Sequence, residues 1–298
     1  MLATFGHSPV ILITGASSGI GRALAVRLAG SGARLAIVAR RGALLTQLAA
    51  EVEAAGGVAL PLPCDVTVPS QFREAVAATI ARFGELHVLV NNAGRGNNAY
   101  IHDTPEDQLE SIFRGECFSR CGMAPRRRCA DMVPLRRGQI INVASVAGKI
   151  GFPGNGAYVA AKHATVGFTR ALRSELAGTG VLATAVIAAG TLTDWATAAE
   201  GGSMIALFDY ERERGNQLAA QMGRELPPAI PLLSADHVAQ AIAGAIGDPT
   251  PELYTHPGLR DWVMEYEANQ ELAEQKLEPF WLANREGYEK QHDAPPAD

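Results

Sequence analysis

Val10-Ile11-Leu12-Ile13-Thr14-Gly15-Ala16-Ser17-Ser18-Gly19-Ile20-Gly21 is the stretch that decides the fold. A short apolar, mostly β-branched run meets a glycine-rich turn, and residues 19–28 then repeat their apolar positions at helical spacing. This chemistry suits a bound pyrophosphate. Gly15 can take the tight turn, while Gly19 and Gly21 let the helix start approach a phosphate and still pack on the strand. Ser17, Ser18 and Ile20 complete the candidate turn. Glycines alone fit an ordinary strand–turn–helix equally well, so the flanking chain has to decide.

Outward from this turn the pattern alternates. Strand-like runs at 34–39, 58–63 and 87–91 are separated by helix-like segments at 43–55 and 70–83. Later strands are predicted at 139–144, 181–188 and 252–255, and later helices at 157–177 and 235–246. Strands separated by helices of this length imply βαβ units, a parallel sheet and helices on both faces. The expected architecture is a single α/β domain over 1–257 with a doubly wound parallel sheet. Residues 190–231 are expected to form a long mobile loop beside a site. A helical tail follows over 258–298. Leu259, Trp262, Val263, Tyr266, Ala273 and Leu277 fall near helical spacing there, with Pro279 ending or kinking the helix.

Composition narrows the class. The 298 residues are 47% hydrophobic and 19% charged, which suits a globular core rather than a disordered chain. A net charge of −5 argues against nucleic acid as a partner. No apolar run reaches membrane-spanning length, and residues 1–8 lack the basic start of a signal peptide. Cys64, Cys117, Cys121 and Cys129 fit no disulfide framework in so long a chain, so a reducing cytoplasm is expected. A metal site on Cys117, Cys121 and Cys129 is not expected, because their spacing is not a usual zinc pattern and no histidine lies nearby.

The turn from Thr14 to Gly21 resembles the TGxxxGxG motif of short-chain dehydrogenases, and further resemblances follow in order between residues 10 and about 190. Asp65-Val66 follows the third strand, where that family holds the adenine. Taken alone, such an Asp also serves as a helix cap. Asn91-Asn92-Ala93-Gly94 resembles the NNAG that braces the sheet and lines the cofactor. Ser145 precedes Tyr158 by thirteen residues, and Tyr158 and Lys162 stand at i and i+4 on one helix, resembling Ser…Tyr-x-x-x-Lys. A lone Tyr-x-x-x-Lys also fits a surface helix pair.

The resemblance implies a Rossmann-type fold and an oxidoreductase moving a hydride between a nicotinamide and a carbonyl or alcohol. Tyr158 would be general acid in reduction and base in oxidation. Lys162 would bind the nicotinamide ribose and favour the phenolate. Ser145 would orient the substrate oxygen, and Gly190 would line the cofactor. At the end of the second strand, Ala39-Arg40-Arg41 stands where an acidic residue would repel a ribose 2′-phosphate. Arg40 can pair with that phosphate, so NADP(H) is expected over NAD(H). Two solvated arginines would look the same. Met204, Leu207, Phe208 and Tyr210 suggest an apolar lid and a bulky, apolar substrate. A homodimer or tetramer is the family expectation.

One segment departs. Residues 114–128 hold two glycines, an interior proline and five arginines where the family has an apolar sheet-packed helix opening on a Val-Asn pair. Its asparagine completes a catalytic tetrad. An interior proline alone costs a helix about 3 kcal/mol. Here Glu116 takes the asparagine's place, which raises a second hypothesis: a catalytically impaired NADP(H)-binding protein.

The genetic code offers an origin. Gly-Glu-Cys is encoded GGN-GAR-TGY, and one nucleotide later this can spell Val-Asn-Val or Val-Asn-Ala. Family-like sequence resumes at Asp131-Met132. The reading is a pair of compensating frameshifts. Sequencing the source DNA tests it, because codons unable to spell an apolar helix in the shifted frame would overturn it. A smaller departure is Ala189-Gly190 in place of Pro-Gly, with Thr191 and Thr193 both candidates for the threonine that follows.

Overall fold

The computed structural model describes residue 5 and residues 8–96, 98–118, 132–194 and 204–292, with backbone alone at 117–118, 204–207 and 292. The first half is a run of βα units: β1 (Val10–Thr14), α1 (Gly19–Ala29), β2 (Arg34–Ala39), α2 (Gly42–Ala54), β3 (Val58–Pro63), α3 (Pro69–Phe83) and β4 (Val88–Asn91). Then come α4 (Glu106–Phe113), β5 (Gly138–Val143), α5 (Gly156–Glu175), β6 (Val181–Ile187) and the short β7 (Thr191–Leu192). The chain continues with α6 (Met204–Gln221), β8 (Leu233–Ser234), α7 (Ala235–Gly247), β9 (Glu252–Tyr254), α8 (Leu259–Ala268) and α9 (Gln270–His292).

Seven strands form one sheet in the order β3-β2-β1-β4-β5-β6-β9, and every pairing is parallel. Alternation along β1 explains why both faces are covered. Ile11 and Ile13 point into one core with α1, α2 and α7, while Val10 and Leu12 enter a second core with α3. Chain order reverses between β1 and β4. Their carboxyl ends therefore open a crevice, the usual ligand position in such sheets.

Two expectations are corrected. The supposed 190–231 loop contains a long helix, since α6 runs from Met204 to Gln221. Its polar face meets the tail rather than solvent, so its apolar periodicity is weak. Pro279 does not end the tail helix: it lies inside α9, and the break comes earlier, at Asn269 between α8 and α9.

Past α4 the chain widens into a π-turn over Arg114–Phe118. Residues 119–131, with Cys121, Cys129 and most of the departing segment, lie outside the described residues. The core resumes at Met132, which is fully buried. A Cβ on Gly138 would lie 2.6 Å from its sulfur, so this methionine packs directly on the start of β5.

Candidate active site

The cradle begins at the end of β1. Gly15 has φ +66°, and a Cβ there would lie 2.7 Å from the Ala93 Cα. A Cβ on Gly21 would lie 2.5 Å from the Gly15 carbonyl oxygen. These two positions exclude any side chain, which lets the turn, α1 and the segment after β4 close on one another. Thr14 Oγ1 accepts from the backbone N–H groups of Asn92 (2.9 Å) and Ala93 (3.0 Å). Asn92 Nδ2 returns bonds to the carbonyls of Thr14 (3.0 Å) and Gly15 (3.3 Å). Asn92 is thus the cross-brace within the Asn91–Gly94 segment, to which the resemblance gave a bracing role as a whole. Ala93 is half-buried beside it and Gly94 is exposed.

The helix start is chemically open. Ser18, the N-cap of α1, makes no side-chain capping bond, so the first-turn N–H groups are left to other acceptors. The guanidinium of Arg41 donates to the hydroxyls of Ser17 (3.1 Å) and Ser18 (2.9 Å). The structure therefore brings Arg41 to the turn, while Arg40 is exposed at the end of β2. The sequence reading chose Arg40 for the phosphate, whereas it is Arg41 that reaches back to the serines. Asp65 is half-buried after β3, and its Oδ1 accepts from the backbone N–H and hydroxyl of Thr67 (2.9 and 2.7 Å). It thereby fastens the chain entering α3, and Val66 beside it packs on the core.

The candidate catalytic residues lie around the end of β5. Ser145 lies two residues beyond it and accepts from the Ala147 N–H (3.2 Å). Tyr158 is half-buried on α5, one turn before Lys162, which is only 4% exposed. Lys162 Nζ donates to the Val143 carbonyl (3.1 Å), anchoring α5 to the strand that leads into Ser145. The same ammonium lies 5.2 Å from the centre of the Tyr158 ring. It also lies 2.7 Å from Glu116 Oε2, and Glu116 is completely buried.

A chain of buried hydrogen bonds fixes this geometry from the sheet outward. Asn91 Nδ2 donates to Asn142 Oδ1 (2.7 Å), Asn142 Nδ2 to Thr169 Oγ1 (2.8 Å), and Thr169 to the Thr165 carbonyl (2.7 Å). Thr165 Oγ1 then donates to the carbonyls of Ala161 (3.0 Å) and Glu116 (3.3 Å). Asn91 and Asn142 face each other in register on adjacent strands, which the sequence could not align without the pairing.

Past β6, the Gly190 carbonyl accepts from His256 Nε2 (3.0 Å), and His256 Nδ1 accepts from the Ala189 N–H (3.3 Å). Burial lowers the His256 pKa, against the raising effect of the Gly190 carbonyl, so a neutral ring pins this corner. Of the two candidate threonines, Thr193 lies over the glycine turn, its Cγ2 3.2 Å from where a Gly19 Cβ would be. Thr191 instead bonds the Ala189 carbonyl (2.8 Å).

The lid reading changes at Tyr210. Its hydroxyl donates to Glu286 (3.2 Å) and accepts from Lys290 (2.8 Å), so this residue belongs to the contact between α6 and α9. Phe208 is half-buried, and the side chains of Met204 and Leu207 lie outside the described residues. Beneath Tyr210, buried Glu211 accepts from Asn284, whose Oδ1 accepts from Tyr100 (2.8 Å) after β4.

An open doubly wound sheet with an uncapped, glycine-lined helix start at its switch point defines a dinucleotide-binding α/β protein. The chain belongs to the short-chain dehydrogenase family, whose model matches residues 9–202. It is 40% identical over 179 residues to granaticin polyketide synthase putative ketoacyl reductase 1 of Streptomyces violaceoruber. It is 37% identical over 188 residues to a 3beta-hydroxysteroid dehydrogenase of Mediterraneibacter gnavus. These matches cover 60% and 62% of this chain and span 66% of each relative.

Among solved structures, a short chain dehydrogenase/reductase from Burkholderia phymatum in complex with NAD superposes with a TM-score of 0.74 at 27% identity. That alignment covers 90% of this chain and 96% of the other. A single-substitution variant of actinorhodin polyketide ketoreductase with NADPH gives 0.71 at 30% identity, covering 85% and 97%. Among the described residues, no helix is long and apolar enough to cross a membrane.

Proposed function

We propose that the chain is an NADP(H)-dependent oxidoreductase acting on a carbonyl/alcohol pair, with Tyr158 as the proton donor or acceptor. The observation that carries this is the place of Lys162, 5.2 Å from the Tyr158 ring centre and bonded at 3.1 Å to the Val143 carbonyl, two residues before Ser145. The cradle fits the cofactor. The uncapped start of α1, the Ser17 and Ser18 hydroxyls and the Arg41 guanidinium are the donors a pyrophosphate and a ribose phosphate need. Gly15, Gly19, Ile20 and Gly21 would line it, with Asp65, Val66, Asn91, Ala93, Gly94 and Gly190 around the adenine and nicotinamide ends. When bound, the nicotinamide supplies or takes up the hydride.

The chain's own part is proton management. Negative charge collects on a carbonyl oxygen as it is reduced, and the Tyr158 phenol gives that oxygen its proton while the Ser145 hydroxyl holds it in line. In oxidation Tyr158 takes the alcohol proton. The relatives named for ketoacyl and 3β-hydroxysteroid chemistry support a bulky, largely apolar carbonyl compound as substrate. Homo-oligomeric assembly and a cytoplasmic location belong to the same reading.

The test is a thermal melt with NADPH or NADH at matched concentrations, followed by reduction of a panel of bulky ketones. Saturation at about 100 times Kd adds about 2.7 kcal/mol, on the order of 5 °C in a chain this size. NADPH is expected to give the larger rise, and alanine at both Arg40 and Arg41 to erase its advantage. Equal rises with both cofactors in the unaltered chain would overturn the preference. No ketone turnover with NADPH bound would favour the impaired binder.

A further inference from the structure

Glu116 is 0% exposed, yet a carboxylate carries a large cost when taken out of water without a cation. Among the described residues, the cation beside it is Lys162, at 2.7 Å and itself 4% exposed. The Lys162 ammonium thus forms an ion pair with Glu116 Oε2 while it donates a hydrogen bond to the Val143 carbonyl. The π-turn over Arg114–Phe118 delivers Glu116 to this point, and the Thr165 hydroxyl holds its backbone carbonyl at 3.3 Å. The carboxylate is thus held from two sides against the one lysine that stands next to Tyr158.

We propose that Glu116 is a positioning residue that clamps Lys162 directly and sets the pH at which the Tyr158–Lys162 pair releases its first proton. This rests on the reading of Tyr158 as the proton-transfer group. The sign is independent of which partner loses that proton. An anion beside a cationic lysine and a neutral phenol makes removal of a positive charge, or creation of a second negative one, harder. Glu116 therefore holds Tyr158 in its protonated, donating form to higher pH and biases the site towards carbonyl reduction.

Other charges stand on the packed elements. α4 and its extension carry Glu106, Asp107, Glu110 and Arg114, of which Glu110 and Arg114 pair with each other at the surface (2.6 Å). α5 carries exposed His163 and Arg170, the latter paired with Glu252 (2.8 Å). Arg95, after β4, bonds Ser111 on α4. Among the described residues, Glu116 is the carboxylate that stands against the Lys162 ammonium, so its removal is felt first.

The experiment is a tyrosinate absorbance titration of the cofactor-free protein, with the Tyr158→Phe signal subtracted, alongside the pH profile of alcohol oxidation. In Glu116→Gln, both the Tyr158 signal and the oxidation limb are expected to move to lower pH by roughly one unit. Should Glu116→Gln not fold, Glu116→Asp carries the test. Its charge sits one methylene farther back, and it should move both in the same direction by less.

Unmoved titration and profile, even with a lowered melting temperature, would make the pair merely structural and overturn the proposal. So would a shift to higher pH. A chain that reduces no carbonyl would defeat the proposed function while the cofactor-free titration still reads Glu116.

Discussion

Tyr158→Phe is expected to lower turnover roughly 10²–10⁴-fold, the usual worth of a positioned general acid or base. That corresponds to about 3–5 kcal/mol of barrier. Phenylalanine keeps the ring that lies beside the Lys162 ammonium and removes only the group that carries the proton. The anchors of α5 to β5, between Lys162 and Val143 and between Asn142 and Thr169, do not involve the Tyr158 hydroxyl. The thermal rise on adding NADPH should therefore survive. Steady-state kinetics of unaltered and variant chains on one ketone substrate, with melts in parallel, read both halves. Equal turnover in the two would show that the proton comes from elsewhere. Loss of the NADPH-dependent rise would instead mean that Tyr158 builds the cofactor site.

The second large effect lies on the contact between α6 and α9. Burial pushes the Glu211 carboxyl up to about 7, opposed only in part by the hydrogen bond from Asn284. In an unfolded chain it titrates near its ordinary value of 4.5. Between these values the folded protein holds a proton that the unfolded chain has released. The stability contribution is therefore complete below pH ~4.5 and is lost as pH rises through ~7. A difference of this size corresponds to about 3 kcal/mol, or very roughly 6–12 °C in melting temperature.

Glu211→Gln keeps an acceptor for Asn284 and carries no proton to lose. Its melting temperature minus that of the unaltered chain should therefore grow between pH 5 and pH 8. Buried Glu211 Oε2 has no hydrogen-bond partner among the described residues, in keeping with a neutral acid that gains nothing from ionising. A pH-independent difference would show that the carboxyl is ionised throughout.

Most of the sheet was legible because a parallel strand covered on both faces must be apolar throughout. Val10–Thr14 and Arg34–Ala39 therefore stand out within a single sequence. Helix α6 was not legible. Its polar side chains Tyr210, Glu211 and Arg214 face α9 rather than water, and such contacts leave no periodicity to read. The π-turn that brings Glu116 to Lys162 was hidden for a related reason. Its sequence, Arg114-Gly115-Glu116-Cys117-Phe118, reads as a broken helix, and the buried ion pair joins residues far apart in the chain.

By itself the sequence determined the βαβ order and the glycine turn after β1, because spacing along one strand or one helix is a local property, and its resemblance to the family nominated Ser145, Tyr158 and Lys162 as the candidate site. Tertiary structure alone decided three further matters. Arg41 rather than Arg40 reaches the serines of the turn, Asn92 and His256 pin the two loops that flank the crevice, and a glutamate meets the buried lysine beside Tyr158. Each depends on which chemical groups lie together after the chain has folded, and a hydrogen bond or an ion pair is set by distance in space rather than by separation in sequence.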